Sequence, residues 1–414
     1  MFINVFAMPE IPATKEERIK LRPIGKRTDR YQMMLEELRG ICKLADETGM
    51  HSFSMTEHHF HTEGGEACPN QQLMFADFAA RTERLNFAPM STVVTTRDPI
   101  RVAEEWALLD QLTKGRVAGI CVARGYQKRW VQILGQKNSL TAATSDQSLT
   151  DDFNREVFNE YLDVIFKAWN NDVFEHKGKH YQVPYPHETG IEGWAAVDWT
   201  RAHGADGEID ENGVIRKIGI VPACYERNHP PIWVPMNMSP NSMKAAAERG
   251  WLPWIFPPNK DDFIKLVDDY QRISTEKGFN FKRGENMGAV RAITFGKTYD
   301  EAFDLAVETT GHVWDDYFGK FGMYEAFRVP SDDPDTPVSF KDAREATQRM
   351  IETGYQLCGT VDDVKRQMEN LYTCYGTGAE LSGLSWNFFY QGLVSQDIQQ
   401  EQLEYMNKVI PEFA

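Results

Sequence analysis

The stretch DPIRVAEEWALLDQLTKGRVAGICVARGY, residues 98–126, combines a helix pattern with a strand pattern that follows it directly. Asp98 is a favourable N-cap, and Pro99 suits the first helical position, where no backbone N–H is needed. The helix is predicted to end at Gly115, because glycine tolerates the left-handed conformation that ends many helices. Residues 117–123 are nearly all apolar, which is typical of a parallel strand covered on both faces. The stretch therefore predicts one repeat of an α/β fold.

The same alternation recurs along the chain. Strand-like apolar runs occupy residues 2–8, 51–55, 85–95, 117–123, 232–236, 251–256, 289–295 and 381–388. Helical patterns separate them over distances long enough for parallel crossovers. Eight such units predict a (β/α)₈ TIM barrel, formed as a single domain over residues 1–414, with insertions at its C-terminal rim.

Two segments interrupt the alternation. Residues 170–231, approximately, are rich in Gly, Pro, His and charge, and we expect them to form an insertion, either a hairpin or a lid. Residues 314–339, approximately, have the acidic, Pro-containing centre Ser331-Asp332-Asp333-Pro334-Asp335, which predicts a mobile loop.

Composition excludes several classes of function. The chain has 414 residues, 42% of them hydrophobic, and a formal net charge of −16, which disfavours binding to nucleic acid or to an anionic membrane surface. No apolar run approaches the roughly 18 residues of a membrane span. The six cysteines show no CxxC spacing. These features predict a reduced, cytoplasmic protein.

The segment MTEHHF, residues 55–60, follows the second predicted strand. In a barrel, that position lies at the rim where chemistry is done. Imidazoles titrate near neutral pH, so His58 and His59 are candidates for proton transfer. Adjacent residues of an extended segment point to opposite sides, so the pair does not easily share one ion, and we predict no metal site.

Two further loops contain groups suited to an anion. Arg124-Gly125-Tyr126 follows the fourth predicted strand, and Ser239 and Ser242 flank the start of a predicted helix. Free N–H groups at a helix start and an arginine side chain both favour phosphate. The plainer alternatives are a surface ion pair for Arg124 and a simple helix cap for Ser239. The glycine-rich dinucleotide fingerprint, the P-loop and HExxH do not occur.

Five sequence motifs, in this order, resemble those of bacterial luciferase and the luciferase-like flavin monooxygenases: Thr56-Glu57-His58-His59-Phe60, Asp98-Pro99-Ile100-Arg101, residues 109–116 (LDQLTKGR), Arg124-Gly125-Tyr126 and residues 246–250 (AAERG). Residues 311–317 also resemble the start of the luciferase mobile loop. The resemblance covers nearly the whole chain.

The resemblance implies a TIM barrel that binds reduced FMN supplied by a separate flavin reductase. In that family O₂ adds to the flavin to give a flavin hydroperoxide, which oxygenates a small organic substrate. We also expect a homodimer or higher homo-oligomer. Two alternatives stay open: a deazaflavin- or FMN-dependent oxidoreductase on the same barrel, and a non-catalytic flavin-binding partner subunit.

The resemblance also implies roles for individual residues. His58 matches the histidine needed for activity, and Arg124 matches the arginine that holds the FMN phosphate, with Gly125 and Tyr126 in the same loop. Ser239 and Ser242 match positions on the phosphate side.

The pair Met90-Ser91 matches a non-prolyl cis peptide beneath the flavin ring. One departure concerns the reactive cysteine of luciferase, whose position is taken here by Ala123, while Cys121 lies two residues earlier. Long-chain aldehyde specificity and light emission are therefore not implied, and the type of oxygenation stays open.

Overall fold

The structure, a computed structural model, describes residues 1–140, 148–237 and 240–413. The chain divides into two compact units. Unit 1 comprises Met1–Gln71, Asp77–Met90 and Pro231–Ala414, and unit 2 comprises Gln72–Ala76 and Ser91–Pro230. The prediction of one domain over residues 1–414 stays a prediction.

Helices and strands alternate along the described chain. The strands are β1 Phe2–Ala7, β2 Ser52–Met55, β3 Asn86–Pro89, β4 Thr92–Val93, β5 Ile120–Ala123, β6 His176–Lys177, β7 Gln182–Val183, β8 Ile232–Asn237, β9 Leu252–Ile255, β10 Gly288–Phe295, β11 Gln356–Gly359 and β12 Gly383–Asn387. The α-helices are α1 Lys15–Lys20, α2 Thr28–Glu47, α3 Gln71–Ala79, α4 Pro99–Thr113, α5 Lys128–Leu134, α6 Leu149–Asn170, α7 Val197–His203, α8 Pro240–Arg249, α9 Lys260–Glu276, α10 Tyr299–Ala306, α11 His312–Asp316, α12 Ala343–Glu352, α13 Val361–Tyr372 and α14 Gln396–Val409. A π-helical segment, Val307–Gly311, joins α10 to α11.

Unit 1 is built on a parallel sheet with the strand order β3-β2-β1-β12-β10-β9-β8, and β11 also pairs with β10. The central strands are covered on both faces, and every residue of β10 is buried. In the paired register, Val5 lies opposite both Phe53 and Trp386. Because the strands are parallel, their carboxyl ends share one edge, and the loop that starts at Thr56 leaves the sheet there.

A fully buried polar cluster joins three strands of unit 1. The side-chain oxygen of Asn4 accepts hydrogen bonds from Ser52 at 2.8 Å and Ser54 at 2.6 Å, and its amide donates to Ser385 at 3.0 Å. Ser52 and Ser54 are two residues apart on β2, so they face the same side. A one-residue slip would leave these buried groups without partners, and the cluster therefore favours a single register.

Unit 2 contains the helix predicted from residues 98–115. The Asp98 carboxylate accepts from the backbone N–H groups of Ile100 at 3.0 Å and Arg101 at 3.2 Å, which confirms the predicted N-cap. The helix ends at Thr113 with the left-handed C-cap Lys114, φ +52°, one residue before the predicted Gly115, which is itself left-handed at φ +84°. Strands β4 and β5 pair in parallel, whereas β6 and β7 form an antiparallel hairpin after α6. The predicted insertion at 170–231 thus contains a hairpin, and its role as a lid stays a prediction.

Two expectations about strands were wrong. The single strand predicted at residues 85–95 is two short strands, β3 and β4, followed by a 3₁₀ turn at Val94–Thr96. The pair formed by α12 and β11 was not predicted. Strand β11 has only four residues, with Gln356 and Gly359 at its ends, too few to produce an alternating pattern.

The segment 314–339 has two distinct parts. Residues 314–327 form short helical turns, and the rings of Trp314 and Phe327 are 4.7 Å apart. The aromatic side chains buried there are those of Trp314, Phe318, Tyr324 and Phe327, whereas Phe321 is exposed. Residues 328–339 are mostly exposed and irregular. Buried aromatic rings resist displacement, so the prediction of mobility is now restricted to residues 328–339.

Within the described residues, every helix is too short or too polar to cross a membrane.

Candidate active site

The loop after β2 is closed by backbone hydrogen bonds within unit 1. The N–H of His58 donates to the carbonyl of Cys68 at 3.0 Å, which brings the two ends of the loop together. The N–H of Ala67 donates to the carbonyl of Pro9 at 2.6 Å, and that of Ile11 to Gly64 at 2.8 Å. The loop is therefore fixed against the segment that follows β1, and His58 occupies a defined position.

His58 is buried, and its imidazole contacts a buried carboxylate. Nε2 of His58 lies 3.0 Å from Oε1 of Glu66, with side-chain exposures of 6% and 1%. The second oxygen of Glu66, Oε2, accepts a hydrogen bond from the phenol of Tyr317, at the end of α11. Both oxygens of one buried carboxylate are thus used by groups that are distant in sequence.

The surroundings of Glu66 favour its ionised form. Burial alone would raise the pKa of this carboxyl group, but His58, the Tyr317 hydroxyl and nearby His61 together outweigh burial and lower its pKa below the ordinary value. Glu66 is therefore an anion at neutral pH, and an acceptor of hydrogen bonds only.

The neighbouring histidines have different partners. Nε2 of His59 lies 3.3 Å from Oε1 of Glu57, so His58 and His59 contact separate carboxylates. Potential ligand atoms of His58, His61 and Glu66 lie within 4.8 Å of one another, close enough to hold a metal ion. The prediction of no metal site rested on the adjacent histidines His58 and His59 and did not concern this group. Its contacts are accounted for by hydrogen bonding, because both Glu66 oxygens already accept a bond.

Arg124, in unit 2, is paired with a buried aspartate. Nη1 of Arg124 lies 2.5 Å from Oδ1 of Asp151, near the start of α6, and Nη2 of Arg155 lies 3.2 Å from Oδ2. Burial would raise the pKa of Asp151, but the two guanidinium groups outweigh it and lower the pKa. The ion-pair alternative considered for Arg124 is therefore present, although Asp151 is buried.

Gly125 is required by the backbone of its loop. Its φ is +78°, a region that L side chains rarely adopt, and an added Cβ would lie 2.7 Å from Val131 and 3.0 Å from Val93. Tyr126, by contrast, is 39% exposed. The loop thus combines a positive charge, a position without a side chain and an accessible phenol.

The Met90–Ser91 bond does not fulfil the expectation of a cis peptide. The cis bonds among the described residues all precede proline: Arg22-Pro23, Val183-Pro184, Tyr185-Pro186 and Val221-Pro222. A trans bond is favoured by about 3 kcal/mol for non-proline residues, so trans is the default unless the surroundings impose otherwise. The N–H of Met90 donates to the carbonyl of Met55 at 2.7 Å, which ties the end of β3 to the end of β2.

The two serines predicted on the phosphate side are Ser239 and Ser242. Ser239 lies outside the described residues. Ser242 is half-buried in the first turn of α8, which begins at Pro240 as predicted. Its hydroxyl is thus near a helix N-terminus, where backbone N–H groups favour an anion.

Cys121 does not replace the reactive cysteine that Ala123 lacks. It is fully buried on β5, and burial raises the pKa of its thiol well above the ordinary value. A buried thiol that stays protonated is a weak nucleophile. All six cysteines lie in the described part of the chain, and they are buried without forming disulfides.

The sequence interpretation missed Glu66, Tyr317 and Asp151. Tyr317 lies within residues 311–317, whose resemblance to the luciferase mobile loop gave it no individual role, and Glu66 and Asp151 were not singled out. The available hint for Glu66 was a carboxylate beside two glycines, eight residues after His58.

Comparison with known proteins gives a family match and individual relatives. Residues 21–378 match the family model described as luciferase-like monooxygenase. A 3,6-diketocamphane 1,6-monooxygenase from Pseudomonas putida is 27% identical over 298 residues, which cover 68% of this chain and 70% of that protein.

Solved structures share the fold. The oxygenating constituent of 3,6-diketocamphane monooxygenase from Pseudomonas putida, a type II Baeyer–Villiger monooxygenase in complex with FMN, superposes with a TM-score of 0.71 at 20% identity, covering 100% of this chain and 99% of that one. An F420-dependent secondary alcohol dehydrogenase has a TM-score of 0.60 at 14% identity, with 100% and 99% coverage. The α/β fold is thus that of the luciferase-like TIM barrels. Because the family model matches most of the chain, this protein belongs to the luciferase-like monooxygenase family.

Proposed function

We propose that this protein is the oxygenase component of a two-component flavin-dependent monooxygenase. It would take reduced FMN from a separate flavin reductase and use O₂ to oxygenate a small organic substrate. The observation that carries this proposal is the buried His58–Glu66 pair on the loop after β2, in a chain of the luciferase-like monooxygenase family. The FMN complex of a protein with the same fold supports FMN as the flavin.

The groups of unit 2 fit a phosphate. The guanidinium of Arg124 has five N–H donors in a planar fork that suits phosphate oxygens, and its Nη1 contacts Asp151. Asp151 holds the guanidinium in place, Gly125 adds no side chain, and the exposed Tyr126 hydroxyl can donate a further hydrogen bond. We assign the FMN phosphate to Arg124, Gly125 and Tyr126.

In unit 1, the first turn of α8 has backbone N–H groups that can take part in flavin binding. We assign Ser242, and Ser239 by its match to the family, to that role. Met90 and Ser91 are assigned to the flavin ring, now without the cis bond. These assignments come from the family resemblance, supported by the position of Ser242 at a helix start.

His58 would act on protons during the reaction. Reduced FMN, when bound, would supply the electrons that activate O₂, with one oxygen atom entering the substrate and the other leaving as water. Because His58 is only 6% exposed, its imidazole can hold or move a proton with little exchange with bulk water. The type of oxygenation, whether hydroxylation, Baeyer–Villiger insertion or aldehyde oxidation, stays open.

The runner-up function is deazaflavin-dependent hydride transfer, which the F420-dependent dehydrogenase of similar fold favours. Oxygen consumption with photoreduced FMN and candidate ketones or alkanals, compared with hydride transfer from reduced deazaflavin, separates the two. We expect substrate-dependent oxygen uptake with FMN only. Turnover with deazaflavin under anaerobic conditions, and none with FMN, would contradict the proposal.

A non-catalytic partner subunit is less well supported, since such a subunit has no need of a buried histidine–carboxylate pair. The homo-oligomeric state and the cytoplasmic location stay predictions. Size-exclusion chromatography with light scattering measures the first.

A further inference from the structure

A chain of hydrogen bonds joins Tyr317, Glu66 and His58 inside unit 1. The phenol of Tyr317 donates to Oε2 of Glu66, and Oε1 of Glu66 lies 3.0 Å from Nε2 of His58. Tyr317 is 251 residues away from Glu66 in the sequence. These hydrogen bonds therefore connect the segment after α10 to the loop after β2.

The carboxylate decides which nitrogen of His58 carries the proton. An ionised carboxylate can only accept a hydrogen bond, so Nε2 of His58 must be the donor. In the neutral imidazole, Nδ1 then has the lone pair and is the basic nitrogen. The same logic applies wherever a carboxylate orients a histidine used in chemistry.

We propose that Glu66 and Tyr317 are positioning residues for His58, with Glu66 holding the Nε2–H tautomer and Tyr317 holding the Glu66 carboxylate. This inference rests on the proposed function, in which His58 moves a proton during oxygenation. It adds two residues to that site and assigns the proton-accepting role to Nδ1.

The backbone at Glu66 supports a specific role for its side chain. Glu66 has φ +46°, in the left-handed region that non-glycine residues seldom occupy. Gly64 and Gly65 directly precede it, yet the residue at this left-handed position is Glu66 and not a glycine. Such conformations persist mainly where the surrounding structure and function require them.

Other charged groups near Glu66 come from neighbouring elements of unit 1. His61 of the same loop accompanies His58, and its Nδ1 lies 3.1 Å from the carbonyl of Gly65. Glu10, in the segment after β1, is close enough to interact with Glu66, and Asp316 of α11 and Glu37 of α2 interact with Glu10 in turn.

The first experiment reads the tautomer directly and needs neither flavin nor turnover. Long-range ¹H–¹⁵N spectra of the protein labelled with ¹⁵N-histidine distinguish the two neutral tautomers, and H58N identifies the His58 signals. We expect the Nε2–H form in the wild type and a mixture of both forms in E66A. If E66A does not fold, E66Q is the test, because its amide can both donate and accept.

Two results would overturn the proposal. One is an Nδ1–H tautomer for His58 in the wild type, or a tautomer that E66A and E66Q leave unchanged. The other is one equivalent of a metal in the purified protein that is lost in E66A, since His58, His61 and Glu66 would then be ligands.

The second experiment measures turnover with photoreduced FMN. We expect E66Q to lower kcat by ~10–10²-fold, the usual effect of losing the partner of a functional histidine, and to alter the pH–rate profile. Y317F should lower kcat by about tenfold with an unchanged flavin Kd. Y324F is the matched control, because the buried Tyr324 hydroxyl makes no hydrogen bond within the described residues, and its kcat should not change.

The two experiments separate the inference from the proposed function. If H58A retains full turnover, the proposed function fails, while the tautomer spectra still decide whether Glu66 positions His58. If H58A is inactive but E66Q and Y317F match the wild type in rate and pH profile, the positioning role is wrong.

Discussion

Nη1 of Arg124 lies 2.5 Å from Oδ1 of Asp151, and the Asp151 side chain is only 1% exposed. The cation assigned to the flavin phosphate therefore has a counter-charge within unit 2. Removing one member of such a pair leaves the other charge buried without its partner, which is costly. Asp151 thus holds Arg124 in one orientation within unit 2.

Arg124→Ala should weaken FMN binding by about 2–3 kcal/mol, because one charge-assisted partner of the phosphate is lost. Riboflavin has no phosphate, so its affinity should barely change. Arg155→Ala is the matched control, since Arg155 contacts the same aspartate from a side chain that is 43% exposed. Fluorescence titrations measure both ligands, and equal losses for FMN and riboflavin would contradict the assignment.

His58→Ala should reduce product formation by ~10²–10⁴-fold, the usual contribution of a positioned proton-transfer group. The FMN dissociation constant should stay within about threefold, because the imidazole contributes little to flavin affinity. His59→Ala, which removes the contact with Glu57, should act mainly on stability. Stopped-flow mixing of the reduced complex with O₂ should show peroxide release in place of product for His58→Ala. Normal turnover of that variant, with loss in His59→Ala, would reverse the assigned roles.

The exposed segment 328–339 should be cut by a broad-specificity protease without ligand and protected when flavin and substrate are bound. Residues 314–327 should resist in both states, because most of their aromatic side chains, Trp314 and Phe327 among them, are buried. Arg328→Ala should speed cleavage, since Arg328 donates to Glu325 and to the carbonyls of Asp333 and Thr336 at 2.8 Å.

Arg344→Ala is the control for this experiment, because Arg344 is an exposed residue of α12 that pairs with Asp304 at 2.9 Å. Its cleavage rate should equal that of the wild type. Identical cleavage with and without ligands would exclude a role for the segment in closure.

Glu10 should make stability fall as pH rises. Burial raises the pKa of Glu10 from 4.5 to about 6, because its effect is larger than the opposing effect of Arg18. The folded protein therefore binds this proton more tightly than the unfolded chain, and stability is lost as pH increases from about 4.5 to 6. The difference corresponds to about 2 kcal/mol.

Glu10→Gln removes the titrating group. Relative to the wild type, the variant should gain about 2 kcal/mol in unfolding free energy between pH 4 and pH 7. Urea unfolding at several pH values measures this change. A constant difference across that range would show that Glu10 does not titrate as described.

Much of the fold followed from local sequence. Asp98 and Pro99 specify where α4 begins through contacts within a few residues, and apolar runs mark the long strands. Strand β11 was missed, because four residues between two helices produce no periodic pattern. The role of an apolar run is readable from sequence only when the run is long enough to show its period.

The candidate site also has residues that the sequence predicted and residues that it did not. The sequence by itself determined the candidates His58 and Arg124, since a histidine pair after a strand and an arginine after another are local patterns. Their partners, Glu66 and Tyr317 for His58 and Asp151 for Arg124, were decided only by the tertiary structure. Chain folding brings Tyr317 to Glu66 across 251 residues, and no local spacing encodes such a contact. The trans Met90–Ser91 bond was likewise decided by the folded chain, because peptide geometry depends on the contacts around the bond as well as on the two residues that it joins.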